Sequence, residues 1–293
     1  MNVAVIGSSE QLGSDLLEVL NKSGFATHAI THDDLEVSDF ESCKNLLGLK
    51  LDVVINTAAF HKTDACEDDP LKAFAVNALG AYNVSRVCRE LDAIHLYIST
   101  DYVFDGEKTI PYVETDSTNP LNVYGTSKVA GETLVKNYSP EHYIIRSSSL
   151  FGRAGASGKG GNFVETIVKK ASNGEEIKVV DDVTMSPTNT LDLAEAISKV
   201  IEKRPPYGVY HVVNSGYCTW WEFARTISST IDAKVDVQSI SSKDFQSKAK
   251  RPKMSALSNS KLSSYGIRMR SWEEALNDYL HVKGYASVGE RLG

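Results

Sequence analysis

The chain has 293 residues, enough for one large domain or a principal domain with an appended lobe. Apolar residues make up 42% and charged residues 24%, a globular balance that excludes wholesale disorder, and a formal net charge of -7 offers no positive field for nucleic acid. Cys43, Cys66, Cys88 and Cys218 form no C-x-x-C pair, and no apolar run reaches the length of a membrane span. Asn2 leads directly into Val3-Ala4-Val5-Ile6 with no positive n-region or cleavage site, so a cytoplasmic protein without a membrane partner is expected.

Met1 to Ile6 reads as a buried parallel strand broken at Gly7, and Leu12, Leu16, Leu17 and Leu20 then recur at helical spacing up to Gly24. Phe25 to Thr31 predicts a second strand, Phe40 to Leu47 a helical stretch, and Leu51 to Asn56 a third strand. A long helix follows over Pro70 to Leu91, then a fourth strand at His95 to Ser99, a helix from Tyr124 to Tyr138 and a fifth strand at Tyr143 to Arg146. This alternation predicts an α/β fold, a Rossmann-type doubly wound parallel sheet with right-handed crossovers. The polar segment Thr100 to Asn122 lies directly after a strand, where active-site loops of parallel sheets fall.

The second half is less regular. Gly152 to Gly161, with five glycines, reads as a mobile loop. A helix beginning near Phe163, a strand at Ile177 to Val180, a helix at Leu191 to Ile201 and a strand at Val209 to Val213 follow. Amphipathic helices are expected at Trp220 to Ile231 and Trp272 to Leu280, and Ser239 to Ser264 reads as a loop lining something. The expected organisation is a dinucleotide-binding domain over 1–150 and a smaller C-terminal substrate-binding lobe over 151–293, with some elements returning to the main sheet.

Gly7-Ser8-Ser9-Glu10-Gln11-Leu12-Gly13 joins the first strand to the first helix. Gly7 permits the tight turn, Gly13 permits close helix-sheet packing, and the amides at the helix start would receive a pyrophosphate. Glu10 stands where the backbone must approach phosphates, and a side chain rotated to solvent would leave that cradle intact. Asp33, twenty residues after Gly13, is placed to accept from a ribose hydroxyl, with Asp34 and Glu36 as neighbours. His32 is the one early cation for a 2′-phosphate, which tilts the reading toward NAD while leaving NADP open. Asn77 is either bonded within its own helix or braces the sheet beneath the nicotinamide.

Tyr124 and Lys128, four apart at a helix start, project from one face. A phenol with a pKa near 10 works at neutral pH only if a cation stabilises its phenolate, and Lys128 can supply that field while holding the nicotinamide ribose. Thr100, at the end of the fourth strand, can bond a substrate carbonyl, and Asp101 a sugar hydroxyl. The seven histidines show no metal-ligand spacing, and ketone reduction needs no metal, because Tyr124 and Thr100 can stabilise the alkoxide.

The runs Gln11-Leu12-Gly13, Asn56-Thr57-Ala58-Ala59, Ser99-Thr100-Asp101-Tyr102-Val103-Phe104-Asp105-Gly106 and Pro120-Leu121-Asn122-Val123-Tyr124-Gly125-Thr126-Ser127-Lys128 carry a resemblance, as do Gly131-Glu132, Gly161-Asn162-Phe163 and Arg251-Pro252. The chain resembles, over nearly its whole length, the dTDP-4-dehydrorhamnose reductase family of the extended short-chain dehydrogenase/reductases. The resemblance implies reduction of the C4 keto group of a nucleotide-linked 6-deoxy-4-keto-hexose with NADPH or NADH, in a protein for which a homodimer is one expected assembly. It implies that Tyr124 donates the proton, Lys128 activates it and Thr100 orients the carbonyl. It places Glu36 and Val37 beside adenine, Ala58, Ala59 and Phe60 along the cofactor, and Lys62, Asp101, Asn162 and Arg251 on the nucleotide-sugar.

Two positions depart from the family pattern. Glu10 replaces a glycine, and Arg146-Ser147-Ser148-Ser149 stands where Arg-Thr-Ser-Trp is usual, so Ser149 replaces an aromatic that packs on the sugar. Phe151 and Trp220 are candidates to fill that gap. The alternative reading is a non-catalytic regulatory subunit or ligand sensor, similar to the regulatory subunit of methionine adenosyltransferase. A third possibility is an epimerase or dehydratase on a similar scaffold, with dehydration disfavoured because Tyr102 rather than an acid follows Asp101.

Overall fold

The structure, a computed structural model, describes residues 1–154, 161–244 and 246–286. The centre of the glycine-rich segment expected to be mobile, residues 155–160, lies outside the described residues.

Strands β1 (Asn2–Ile6), β2 (Ala26–Ile30), β3 (Val53–Asn56), β4 (Ile94–Thr100) and β5 (His142–Ser147) join a later strand, Gly208–His211, in one parallel sheet. Its order is Gly208–His211, β5, β4, β3, β1, β2. From β1 the chain first moves outward to β2 and then crosses back to β3, so the order reverses between β1 and β3. Open α/β sheets bind ligands beyond the strand ends at such a reversal.

The strands are apolar on both faces because helices cover both. Val3, Val5, Val53, Ile55, Leu96 and Ile145 pack under helix α1 (Gln11–Lys22) and the Thr190–Lys203 helix. Ala4, Ile6 and Val54 face the other way, against Leu46, Val84, Val87 and Cys88. The helical run beginning at Pro70 extends to Leu91, with one π turn at Ala75–Leu79 that contains Asn77.

The Thr190–Lys203 helix and the Gly208–His211 strand build onto the main sheet from the second half of the sequence. A separate apolar cluster gathers Phe151, Val164, Phe223, Trp272 and Tyr279. The run Ser239 to Ser264 is not all loop: Val237–Ile240 pairs in parallel with Ile177–Val180, and Ser260–Ser264 is a short helix. Val237 and Ile177 give this small sheet a buried side, a signal too short to stand out among the serines and lysines around it.

Candidate active site

A cleft of about 650 Å³ lies at the carboxyl ends of β1, β3, β4 and β5, over the reversal in strand order. Its floor at β1 is set by two glycines. Gly7 has φ +79, and a Cβ there would sit 2.5 Å from the Thr57 Oγ1. A Cβ on Gly13 would lie 2.1 Å from the Gly7 carbonyl oxygen, so only glycine lets α1 approach the turn this closely. Gly7, Glu10, Gln11 and Leu12 line the cleft, while Gly13 packs beneath them. Glu10 precedes α1, and its carboxylate does not cap the helix. The turn thus keeps a cradle of backbone amides at a helix start, and the carboxylate is a side group beside it.

Next to β2, Glu36 and Val37 line the cleft together with His32. Burial pushes the Glu36 carboxyl up, but hydrogen bonds from the Ser38 amide (2.9 Å) and hydroxyl (2.8 Å) outweigh it and hold the group below its usual range. Asp33, picked out by spacing, is exposed and is not part of the cleft wall, because the turn after β2 carries it outward. Lys72 was not apparent from the sequence. It arrives from the Pro70–Phe74 helical segment, stands 5.2 Å over the Phe60 ring and adds a cation whose field reaches Glu36.

Ala58, Ala59 and Phe60 form the wall after β3. Asn77 holds that wall from behind: its Oδ1 accepts from the Phe60 amide (2.9 Å), while its Nδ2 donates to the Phe60 carbonyl (3.0 Å) and to Ser127 Oγ (2.9 Å). Asn77 is fully buried and ties the β3 loop to the Val123–Tyr138 helix.

Thr100, Tyr124 and Lys128 all line the cleft. Asn122 caps the Val123–Tyr138 helix by accepting from the Gly125 amide (2.8 Å), which fixes where the helix starts and aims Tyr124 and Lys128 at β4. Burial raises the Tyr124 phenol above its usual pKa, while the Thr100 hydroxyl pulls the other way, so the phenol is protonated at neutral pH. Lys128 is 1% exposed, donates to the Ile98 carbonyl (2.6 Å) and stands 4.1 Å over the Tyr97 ring. Its burial lowers its pKa to about 7, with Glu132 opposing. Below the strands, Arg146 pairs with Glu132 at 2.7 Å and Ser99 donates to the same carboxylate (2.6 Å), locking β4 and β5 to the Val123–Tyr138 helix.

Asp101 accepts from the hydroxyls of Thr100 (2.9 Å) and Ser148 (2.9 Å). Burial raises its pKa against the pull of Ser255, Ser148 and Thr100. Arg251 reaches the cleft from a segment clamped at several points: Asp64 accepts from the Ala249 amide (3.0 Å), Lys248 pairs with Asp68 (2.6 Å) and Asn122 donates to the Lys250 carbonyl (2.8 Å). Lys62 stands between His61 and Thr63, both of which line the cleft. Asn162 lies behind Gln11. Its Nδ2 donates to Gln11 Oε1 (3.3 Å) and to the Gly152 carbonyl (3.0 Å), and its Oδ1 caps the Phe163–Ser172 helix.

Ser149 lines the cleft with φ 46. Phe151 does not replace the missing aromatic: it is 1% exposed and packs against Phe223 and Tyr279. Trp220 does line the cleft, its ring held edge-on by Phe163 at 4.6 Å.

A parallel sheet with its cleft at the strand-order reversal, and a Tyr-x-x-x-Lys pair beside the end of β4, define a Rossmann-type protein of the short-chain dehydrogenase/reductase class. Residues 1–284 match the family described as RmlD substrate binding domain, and the chain belongs to that family. It is 39% identical over 285 residues to the spore coat polysaccharide biosynthesis protein SpsK of Bacillus subtilis, covering 97% of this chain and 98% of that protein. A dTDP-4-dehydrorhamnose reductase from Clostridium acetobutylicum superposes with a TM-score of 0.92 at 34% identity, covering 97% of this chain and 100% of the other. A Bacillus anthracis dTDP-4-dehydrorhamnose reductase solved in complex with NADP gives 0.91 at 36%, covering 96% and 99%.

Proposed function

We propose that the chain reduces the C4 keto group of a nucleotide-linked 6-deoxy-4-keto-hexose with NADPH or NADH, dTDP-4-dehydrorhamnose giving dTDP-L-rhamnose. The observation that carries this reading is the convergence of Thr100, Tyr124 and Lys128 on one cleft above the glycine turn. That turn fits a dinucleotide, since any Cβ at Gly7 or Gly13 would fill the space its backbone leaves.

The reduced nicotinamide, when bound, supplies the hydride. Thr100 bonds the carbonyl oxygen and orients it, and Tyr124 gives its proton as negative charge builds there. Lys128 places a cation beside the phenolate that remains, which lowers the cost of losing that proton. The Thr100 hydroxyl donates to Asp101 (2.9 Å) and turns that hydrogen to the carbonyl oxygen when the sugar binds. Arg251 supplies positive charge for the diphosphate of the sugar nucleotide, and Trp220 an apolar surface for one of its rings.

The test is cofactor oxidation with dTDP-4-dehydrorhamnose. Tyr124→Phe is expected to lower kcat on the order of 10²- to 10⁴-fold while the Kd for NADPH stays nearly unchanged. Thr100→Val should cost about 2 kcal/mol of transition-state stabilisation. Equal turnover by wild type and Tyr124→Phe would remove the proposed proton donor. Cofactor binding with no turnover of any 4-keto nucleotide-sugar would favour the regulatory-subunit reading.

A further inference from the structure

The end of β5 carries a buried hydroxyl left open among the described residues. Ser147 is 4% exposed, and its Oγ has no hydrogen-bond partner among the described residues. Of the four buried side-chain atoms in that condition, it is the one whose residue lines the cleft. Buried polar groups are nearly always paired, so a hydroxyl left open toward a ligand cleft is completed by the ligand.

Its placement identifies the part of the ligand it meets. Ser147 is the register partner of Thr100 across the parallel β4–β5 ladder. Side chains alternate along each strand. On β5, Arg146 turns to Glu132 while Ile145 packs under α1, so Ser147 shares the α1 face. On β4, Ser99 turns to the same Glu132 while Ile98 packs under α1, so Thr100 shares that face too. The two residues are therefore same-face neighbours on strands about 5 Å apart. Two hydrogen bonds of about 2.8 Å reaching forward from such a pair converge on oxygens borne by adjacent carbons. Thr100 and Ser148 both donate to Asp101 (2.9 Å each), so Thr100 must turn its hydrogen from Asp101 to reach a carbonyl oxygen, whereas Ser147 has no such bond to give up among the described residues.

We propose that Ser147 is a specificity-determining ligand of the sugar, bonding the hexose hydroxyl on the carbon next to the carbonyl that Thr100 orients. This rests on the reductase reading above and narrows its substrate class to 4-keto-hexoses that keep a free hydroxyl adjacent to the keto group. A 4-keto-sugar deoxygenated at that carbon leaves Ser147 unpaired and is a poor substrate.

The experiment compares wild type, Ser147→Ala and Ser147→Thr. It measures KM and kcat for dTDP-4-dehydrorhamnose and for its analogue lacking the adjacent hydroxyl. Calorimetry supplies Kd for NADPH alone and for dTDP-L-rhamnose in the presence of NADP. Ser147→Ala is expected to raise KM and the Kd for dTDP-L-rhamnose about tenfold, and to change the analogue's KM and the NADPH Kd by less than about twofold. Ser147→Thr restores the hydroxyl and should recover most of the loss. Weakened NADPH binding with unchanged sugar affinity would overturn the proposal and place the hydroxyl on the nicotinamide amide instead; no change in any value would also overturn it. If the wild type binds dTDP-L-rhamnose but reduces nothing, the reductase reading fails while the binding comparison still decides Ser147. If it binds no sugar nucleotide, both fall.

Discussion

The two walls of the cleft are built in different ways. The cofactor wall comes from the ends of consecutive elements, β1 with α1, β2 and β3, and backbone shape dominates it: a left-handed Gly7, a Gly13 packed on the Gly7 carbonyl, and an Asn77 amide clamped on the Phe60 backbone. The opposite wall, proposed above to take the sugar, is assembled from side chains far apart in sequence, Ser147 to Ser149, Trp220 and Arg251, whose supports are Phe163, Asp64, Asp68 and Asn122. A wall made of backbone has few ways to vary without losing its ligand. A wall made of side chains can exchange an aromatic at position 149 for serine and keep an aromatic surface from Trp220.

That contrast predicts where substitutions act. The largest effect is expected on the cofactor wall. Gly13→Ala forces a methyl group against the Gly7 carbonyl, so either α1 or the turn must move, at a cost of about 1–3 kcal/mol in stability. Thermal unfolding should fall by several degrees, and NADPH affinity should drop with it. An unchanged Tm and Kd would show that the turn is softer than this packing implies.

Lys128 comes next, because it sits where the walls meet. Its pKa is lowered to about 7 by burial, and the role proposed for it at the cofactor ribose uses the ammonium form. Binding must therefore take up a proton once the pH exceeds that value, and the Kd for NADPH should rise as pH increases from about 6.5 to about 8.5. Lys128→Met should bind more weakly and lose this dependence. A wild-type Kd that is flat with pH would contradict the assignment.

A smaller effect is expected from Lys72, the cation that the structure adds at the Glu36 end. Lys72→Ala should weaken NADPH several-fold more than NADH, since a 2′-phosphate gains from the local positive charge and a ribose hydroxyl does not. Equal losses for both cofactors would remove Lys72 from the discrimination. The smallest effect is expected at Glu10. Its carboxylate does not cap α1 and the cradle is made of backbone, so Glu10→Gly should change NADPH affinity by less than about threefold. A gain beyond about tenfold would mean that the carboxylate faces the phosphates.

The same contrast explains what could be read from the sequence. The parallel strands, the glycine turn and the Tyr124–Lys128 pair were legible because each depends on local spacing: apolar runs, a turn between strand and helix, and residues four apart on one helix face. The choice of Glu36 over Asp33 at the cleft was not decided by spacing, because it depends on how the turn after β2 bends. Lys72, Ser147 and the position of Asn162 behind Gln11 depend on tertiary contacts between segments up to 151 residues apart, as in the Asn162–Gln11 bond, and carry no local pattern. The Val237–Ile240 strand was hidden for a related reason, since its partner Ile177–Val180 lies in a distant part of the chain.

The central claim is that the two walls bring a reduced cofactor and a 4-keto sugar together at Tyr124. The most direct measurement uses NADPH carrying deuterium at the transferable position of the nicotinamide, incubated with dTDP-4-dehydrorhamnose and the wild-type protein, with the sugar product read by NMR. The expected result is deuterium at C4 of dTDP-L-rhamnose, in step with cofactor oxidation, and labelling at least about 10²-fold slower with Tyr124→Phe. Cofactor and sugar nucleotide that both bind without any label reaching C4 would contradict it.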